Sequence, residues 1–189
     1  GGMTYAAPRY IHVTTTDNGD GTLTVTSFVS DAVDDTTGDA DLTFTNVYTP
    51  GQTTLNGAEN LHVTKNFTGR ENNEWLEGDA FEFKLSIDVN DPDTNAAYTA
   101  GNIILPDNAD SLIVKAANKD TVAFGDITFK APGTYKFIVT ETVPEEADRI
   151  PGVIYDASPS RTVTVEVTDA GHDGQEMVAQ IVKDDSDEL

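Results

Sequence analysis

Three residues of this chain, Lys65, Glu141 and Asn46, combine side-chain types that can join into an amide, and each stands in a row of apolar neighbours. Alternate residues of a strand share a face. Around the lysine, one face reads Leu61, Val63, Lys65, Phe67, and the other His62, Thr64, Asn66. Over 133–141 one face reads Tyr135, Phe137, Val139, Glu141, and over 42–48 one face reads Leu42, Phe44, Asn46, Tyr48. An ammonium or carboxylate without a partner is costly to bury, and burial favours the neutral form of each. A neutral lysine amine is a nucleophile. A protonated glutamic acid can donate to a carboxamide oxygen and shuttle protons as the amine attacks, so that ammonia leaves and a Lys–Asn amide remains. The same residues also fit a plainer account, in which Lys65 snorkels to water from a strand end and Glu141 is simply exposed.

The elements that must position these groups are strands. Short alternating runs rich in Thr, Val, Ile, Phe and Tyr recur between Gly, Asn, Asp and Pro clusters, and helical periodicity is almost absent. Strands are expected over 10–16, 22–29, 42–48, 61–67, 80–89, 103–105, 112–115, 125–129, 133–141, 161–168 and 176–182. Many short antiparallel strands separated by turn signals indicate an all-β, Ig-like sandwich. The acidic stretches 30–41 and 184–188 read as solvated loops, and the polar stretch 88–99 as a connection between strands.

One internal repeat organises the chain. Tyr5-Ala6-Ala7-Pro8 followed by a Thr-rich strand and Asp17-Asn18-Gly19-Asp20-Gly21 matches Tyr155-Asp156-Ala157-Ser158-Pro159 followed by Val163–Thr168 and a second Gly/Asp turn. Residues 1–50 therefore read as the C-terminal strands of one repeat, or as a donor strand completing the next. Residues 51–60, with Pro50 before them, read as a linker, and 61–189 as a second repeat lacking its last strand. The abrupt ends suggest a piece excised from something longer.

Composition limits the functions available. Lys and Arg number 11 against 33 Asp and Glu, a net charge of −22. Such a field repels nucleic acid and anionic lipid surfaces. There are no cysteines, which excludes disulfides, thiolate metal sites and a Cys nucleophile. No apolar run is long enough for a membrane span. The turn at 17–21 has acidic residues but lacks the ligand spacing of a calcium loop, and reads as a hairpin. His12, His62 and His172 are scattered, at positions expected to face outward or lie in turns, so no metal site is expected. No Ser–His–Asp arrangement or phosphate-cradling loop is present, and no cofactor is expected.

The chain resembles a known family. Leu61-His62-Val63-Thr64-Lys65-Asn66-Phe67-Thr68-Gly69-Arg70, then Trp75, Gly78-Asp79 and Phe81-Glu82-Phe83-Lys84-Leu85, is similar to the start of the Gram-positive pilin isopeptide-linkage repeat of streptococcal major-pilin type. Phe124–Phe129, Pro132–Phe137 and Val139-Thr140-Glu141 resemble its middle. Gly152–Asp156 and Val163–Asp169 resemble its late strands, and Phe44-Thr45-Asn46-Val47-Tyr48 its closing strand. The resemblance implies a CnaB-like sandwich in which Lys65 is the attacking amine, Glu141 the catalytic acid and an Asn of the closing strand the acceptor. Asn46, the residue here that matches the acceptor motif, precedes Lys65 and by repeat order belongs to the previous module. The resemblance further implies a structural stalk or fibre module of a cell-wall-attached, extracellular surface protein of a Gram-positive bacterium. Its partners would be neighbouring repeats of the same protein, and its chemistry a single self-cross-linking event rather than turnover. The alternatives are a loop-mediated module for a host glycan or protein, with Trp75 and Tyr98 as candidate contacts, and a calcium-dependent adhesive domain. An open sandwich would expose an apolar row including Phe81 and Phe83, inviting strand addition. The 12 residues of 49–60 are long enough for 42–48 of the same chain to fill that gap, and strand-swapped self-association is the other route.

Overall fold

The computed structural model describes residues 2–156, 159–169 and 177–182, and these form two units, Gly2–Thr49 and the chain from Pro50 onward. The expected acidic loop 184–188, His172 and Glu176 lie outside the described residues.

In the first unit, β1 (Gly2–Thr4) pairs antiparallel with β4 (Val47–Thr49), and β2 (Tyr10–Asp17) with β3 (Leu23–Ser30). The β2–β3 turn follows from its residues. Asp17 Oδ1 accepts the Gly19 amide at 2.8 Å, Asp20 Oδ1 accepts the Thr22 amide at 3.0 Å, and Gly19 and Gly21 take left-handed φ of 76° and 87°. An Asx turn needs those oxygens, and glycine meets the positive φ without a Cβ clash. His12 does not face outward as expected. Its ring stacks on Phe28 at 4.5 Å, and its Nε2 lies 2.7 Å from the fully buried Ser30 hydroxyl, because His12 and Phe28 are opposite one another in the register. Of the expected strand 42–48, only its end falls in a strand, β4; Leu42 and Phe44 are 56% and 57% exposed.

The second unit is an antiparallel all-β fold. Its main sheet has the order β14-β13-β12-β7-β9, comprising Met177–Val182, Ser160–Asp169, Gly133–Thr142, Phe81–Ile87 and Ser111–Ala116. A three-stranded sheet has the order β5-β11-β8, comprising Thr53–Leu55, Ile127–Phe129 and Ile103–Ile104. A short pair joins β6 (His62–Val63) to β10 (Val122–Ala123). Burial alternates along β7, β12 and β13, as a sheet with one covered face requires. Both larger sheets feed one core. Phe129 stacks on Tyr135 at 5.4 Å and meets Phe137 edge-on at 6.2 Å, geometries that aromatic quadrupoles favour.

Two stretches differ from expectation. Residues 53–60, expected within a linker, supply β5 and a one-turn helix, α1 (Gly57–Asn60). Leu55 is buried, Asn56 Oδ1 caps the helix, and Asp126 Oδ1 accepts the Gly57 amide at 2.8 Å. The polar stretch 88–99 contains a helix, α2 (Pro92–Thr99). Asp91 is its N-cap, accepting from the Thr94 amide at 3.1 Å, and Pro92 occupies the first turn, where its missing N–H costs nothing. Thr94, fully buried, then accepts the Lys136 amide at 2.8 Å and ties the helix to β12.

Candidate functional site

Lys65 lies just beyond β6, and Thr64 is tied to Thr121 by a hydroxyl–hydroxyl hydrogen bond of 2.8 Å. Strand assignment ends at Val63, yet the alternation persists: Leu61, Val63, Lys65 and Phe67 are sheltered while His62, Thr64 and Asn66 are exposed. Glu141 sits near the end of β12, opposite Phe83, with its amide donating to the Pro159 carbonyl at 2.8 Å. The apolar row Tyr135, Phe137, Val139 carries the glutamate inward, and it is 7% exposed.

These two rows meet. Lys65 Nζ donates to both carboxylate oxygens of Glu141 at 2.8 Å, and the ammonium lies 4.6 Å from the centre of the Phe81 ring. The side chains are 14% and 8% exposed. Glu141 thus shelters the charge electrostatically and Phe81 through its ring face. A proton passed from amine to carboxylate along either contact leaves a nucleophilic amine beside a carboxylic acid.

A groove of about 260 Å³ opens onto the pair, lined by Val63, Lys65, Phe83, Val139, Glu141 and Arg161 among others. A second hollow of about 390 Å³ lies on the far side of Lys65, between 65–70 and 151–154. Phe67 and Phe81 line it and belong to an aromatic cluster in which Phe67, Trp75 and Phe81 meet at 5.4–5.6 Å. Phe81 and Phe83 are therefore not an exposed row as expected: both are buried, because Phe67, Trp75 and Tyr155 cover Phe81. Trp75 packs against the core, and Tyr98, the other candidate contact, donates its hydroxyl to Asp110 at 3.1 Å.

A clamp stands beside the site, in the loop that follows Lys65. Arg70 forms a two-pronged ion pair with Asp79 and lies 4.9 Å from the centre of the Phe67 ring, while Asp79 also accepts the Leu76 amide at 2.7 Å. The Arg70 contact holds the Asp79 carboxyl below the usual carboxylate range. The signal that could have found it is an Arg flanked by aromatics with an Asp nine residues on, inside a Gly-punctuated loop.

Asn46 belongs to the first unit, where it is exposed and its Oδ1 accepts the Ala6 amide at 3.0 Å. The structure thus brings Lys65 and Glu141 together, and holds Asn46 in hydrogen bonding within its own unit. Among the described residues no group of three or more His, Cys, Asp or Glu side chains could hold a metal ion, and no helix is long and apolar enough to cross a membrane.

Residues 1–49 and 61–189 match the family described as FctA, the Spy0128-like isopeptide containing domain. The chain is also similar to a protein named pilin from Streptococcus pyogenes serotype M1. The two are 33% identical over 147 residues, which is 69% of this chain and 38% of that protein. The chain therefore spans well under half the length of that relative. No solved structure matches the chain.

Proposed function

This chain belongs to the family of Spy0128-like isopeptide-containing domains, and from that premise we propose that it is a structural module of a Gram-positive pilus or surface fibre, locked by an amide bond between Lys65 and an asparagine of a closing strand. The observation that carries this reading is the sheltered Lys65–Glu141 contact, 2.8 Å to each carboxylate oxygen, at the floor of an open groove.

The steps follow from the residues. Glu141 takes a proton from the Lys65 ammonium, and its acid form donates to the acceptor carboxamide oxygen. The free amine attacks the carbonyl carbon. Glu141 passes to the departing nitrogen both the proton it took and the one the attacking nitrogen sheds, so that nitrogen leaves as ammonium and one amide has replaced another. Glu141 is regenerated, but the lysine is consumed, so each module reacts once. Phe81 and the surrounding apolar side chains exclude water from the pair.

The benefit of the bond is mechanical. A covalent tie across the sandwich restricts the unfolded chain much as a disulfide closing a long loop does, by ~2–4 kcal/mol. It needs no cysteine and is indifferent to reductant, which suits a chain with none at a bacterial surface. The test is intact-mass spectrometry of the repeat completed by its acceptor strand. The wild type is expected to be lighter by one ammonia, and Glu141→Ala to have full mass with the fold retained. A completed wild-type repeat at full mass overturns the proposal.

A further inference from the structure

We propose that the strand closing this module docks antiparallel on residues 152–154 in the register that β4 takes on β1, which sets its acceptor asparagine opposite Tyr155 with the carboxamide oxygen on the main-chain amide of Asp156. This rests on the cross-link proposed for Lys65 and adds to it a positioning residue, Asp156.

The internal repeat carries the register from one unit to the other. Gly2-Met3-Thr4-Tyr5-Ala6 and Gly152-Val153-Ile154-Tyr155-Asp156 correspond residue for residue, with glycine and tyrosine at the same places. In the first unit Gly2 pairs with Thr49, Met3 with Tyr48 and Thr4 with Val47, so one further step along the ladder sets Tyr5 opposite Asn46. The next amide, that of Ala6, donates to Asn46 Oδ1 at 3.0 Å. Phe44-Thr45-Asn46-Val47-Tyr48 is also the segment that resembles a closing strand. The first unit therefore shows how such a strand and its asparagine sit on this template.

The second unit presents the same template at the Lys65 site. Val153 and Tyr155 are half-buried while Ile154 and Asp156 are exposed, the alternation of a strand. The Val153 amide turns back onto the Ile150 carbonyl at 3.1 Å. Amides alternate in direction along an extended chain, so those of Ile154 and Asp156 face the other way, as that of Ala6 faces Asn46. Ile154 is 97% exposed, and in this register it lies across from the position of Val47, an apolar cross-strand pair. Tyr155, opposite the acceptor, has its ring 6.1 Å from that of Phe81, and Lys65 Nζ lies 4.6 Å from the centre of the Phe81 ring. Asp156 lines the groove that opens onto Lys65 and Glu141. An asparagine opposite Tyr155 is thus delivered to the reacting pair.

The amide contact has a chemical consequence. A carboxamide oxygen has two lone pairs. One accepts the Asp156 N–H and the other the acid form of Glu141, so the charge that develops on oxygen as the Lys65 amine attacks meets two donors. The balance is unchanged: the ammonium of Lys65 and one carboxamide give one amide and one ammonium.

Cysteine pairing tests the register, because the chain has no cysteine of its own. Lys65→Arg keeps a cation on Glu141 but cannot form the amide. In the completed repeat carrying it, Ile154→Cys is combined with a cysteine at the closing-strand residue that follows the acceptor asparagine. Facing Cα atoms in a ladder stand about 4.5–5.5 Å apart, within the span of a disulfide. The disulfide is expected to close, as Thr4→Cys with Val47→Cys is expected to close in the first unit. Tyr155→Cys with the same partner, one step out of register and on the opposite face, is expected to stay reduced. Closure from Tyr155→Cys, or none from Ile154→Cys while the Thr4–Val47 control closes, overturns the register. The amide contact is read in the completed repeat with Lys65 present, by the rate of ammonia loss after refolding. Asp156→Ala keeps the main-chain donor and is expected to react at the wild-type rate. Asp156→Pro, which removes that donor, is expected to react about tenfold more slowly, the worth of one hydrogen bond, with the Ile154→Cys disulfide still closing. Equal rates for the two variants overturn the role of Asp156. A disulfide that closes while the wild-type repeat keeps its full mass leaves the register standing and removes the cross-link, so the two proposals fail separately.

Discussion

The sheltered Lys65–Glu141 pair makes a quantitative prediction that is independent of any cross-link. In an Asn46→Ala background, Lys65→Ala, Glu141→Ala and the double variant form a thermodynamic cycle. At 2.8 Å and an effective dielectric of 20, the gross attraction is about 6 kcal/mol. Desolvation of both groups offsets much of it. With the side chains 14% and 8% exposed, removing Glu141 strands an ammonium beside Phe81, and removing Lys65 strands a carboxylate among Phe83 and Val139. Breaking a buried pair from one side costs about 3–5 kcal/mol. Lys65 retains an exit to the groove, so its stranding should lie at the lower end, ~3 kcal/mol. The double variant leaves no charge behind and should cost less than the two singles together, giving a coupling of ~2–3 kcal/mol. Urea unfolding at fixed ionic strength, with the slope unchanged across the four proteins, reads this directly. An exposed pair would couple by only about 0.2–1 kcal/mol. A coupling in that lower range would refute the claim that the fold buries the pair, and with it the physical basis for Glu141 as a proton carrier.

Other expectations follow from the surrounding structure. Gly57→Ala should destabilise the second unit by ~3 kcal/mol or more, because a Cβ there would lie 2.1 Å from the Phe124 carbonyl oxygen and 2.5 Å from that of Gly125, backbone atoms that cannot yield; an unchanged melting temperature would contradict it. Asp91, whose contact with Lys136 and hydrogen bonds from Thr94 hold its carboxyl down at about 2, has a folded value below its unfolded one. Its contribution is present above pH ~4 and lost as pH falls toward ~2, so Asp91→Asn should flatten the acid limb of a stability–pH curve in that window and leave neutral pH less stable than wild type. Asp79→Ala should release Arg70 and the Leu76 amide, seen as faster tryptic cleavage after Arg70 with β12 still protected from hydrogen exchange; equal cleavage rates would show that the aromatic cluster alone holds the loop.

Much of the second unit was legible locally. The i, i+2 alternation of Phe81-Phe83-Leu85, Tyr135-Phe137-Val139 and Val163-Val165-Val167 marks one buried face per strand, and all nine residues are buried. The same alternation placed Lys65 and Glu141 inward. The two helices were less legible, because each is short and set by its caps. Asp91-Pro92 and Asn56 are N-cap signals, but α2 has no apolar stripe for a periodicity argument to find.

What the sequence determined by itself is therefore what depends on nearest neighbours along the strand: the all-β class, the inward direction of Lys65 and Glu141, the hairpin turn at 17–21. The tertiary structure decided what depends on partners far away in the chain. Lys65 and Glu141 are 76 residues apart, and only the β12–β7 register and the course of the chain beyond β6 bring the nitrogen to both oxygens. The repeat shows the difference most plainly. Ile11 and Val13 of β2 correspond to Val163 and Val165 of β13 in pattern, yet the first two are 61% and 60% exposed and the second two are 4% and 0%. β13 is paired on both sides, by β12 and β14, over a shared core, whereas among the described residues β2 is paired with β3 alone. An alternating strand specifies which face is to be buried; only a second layer of structure, supplied from elsewhere in the chain, can bury it.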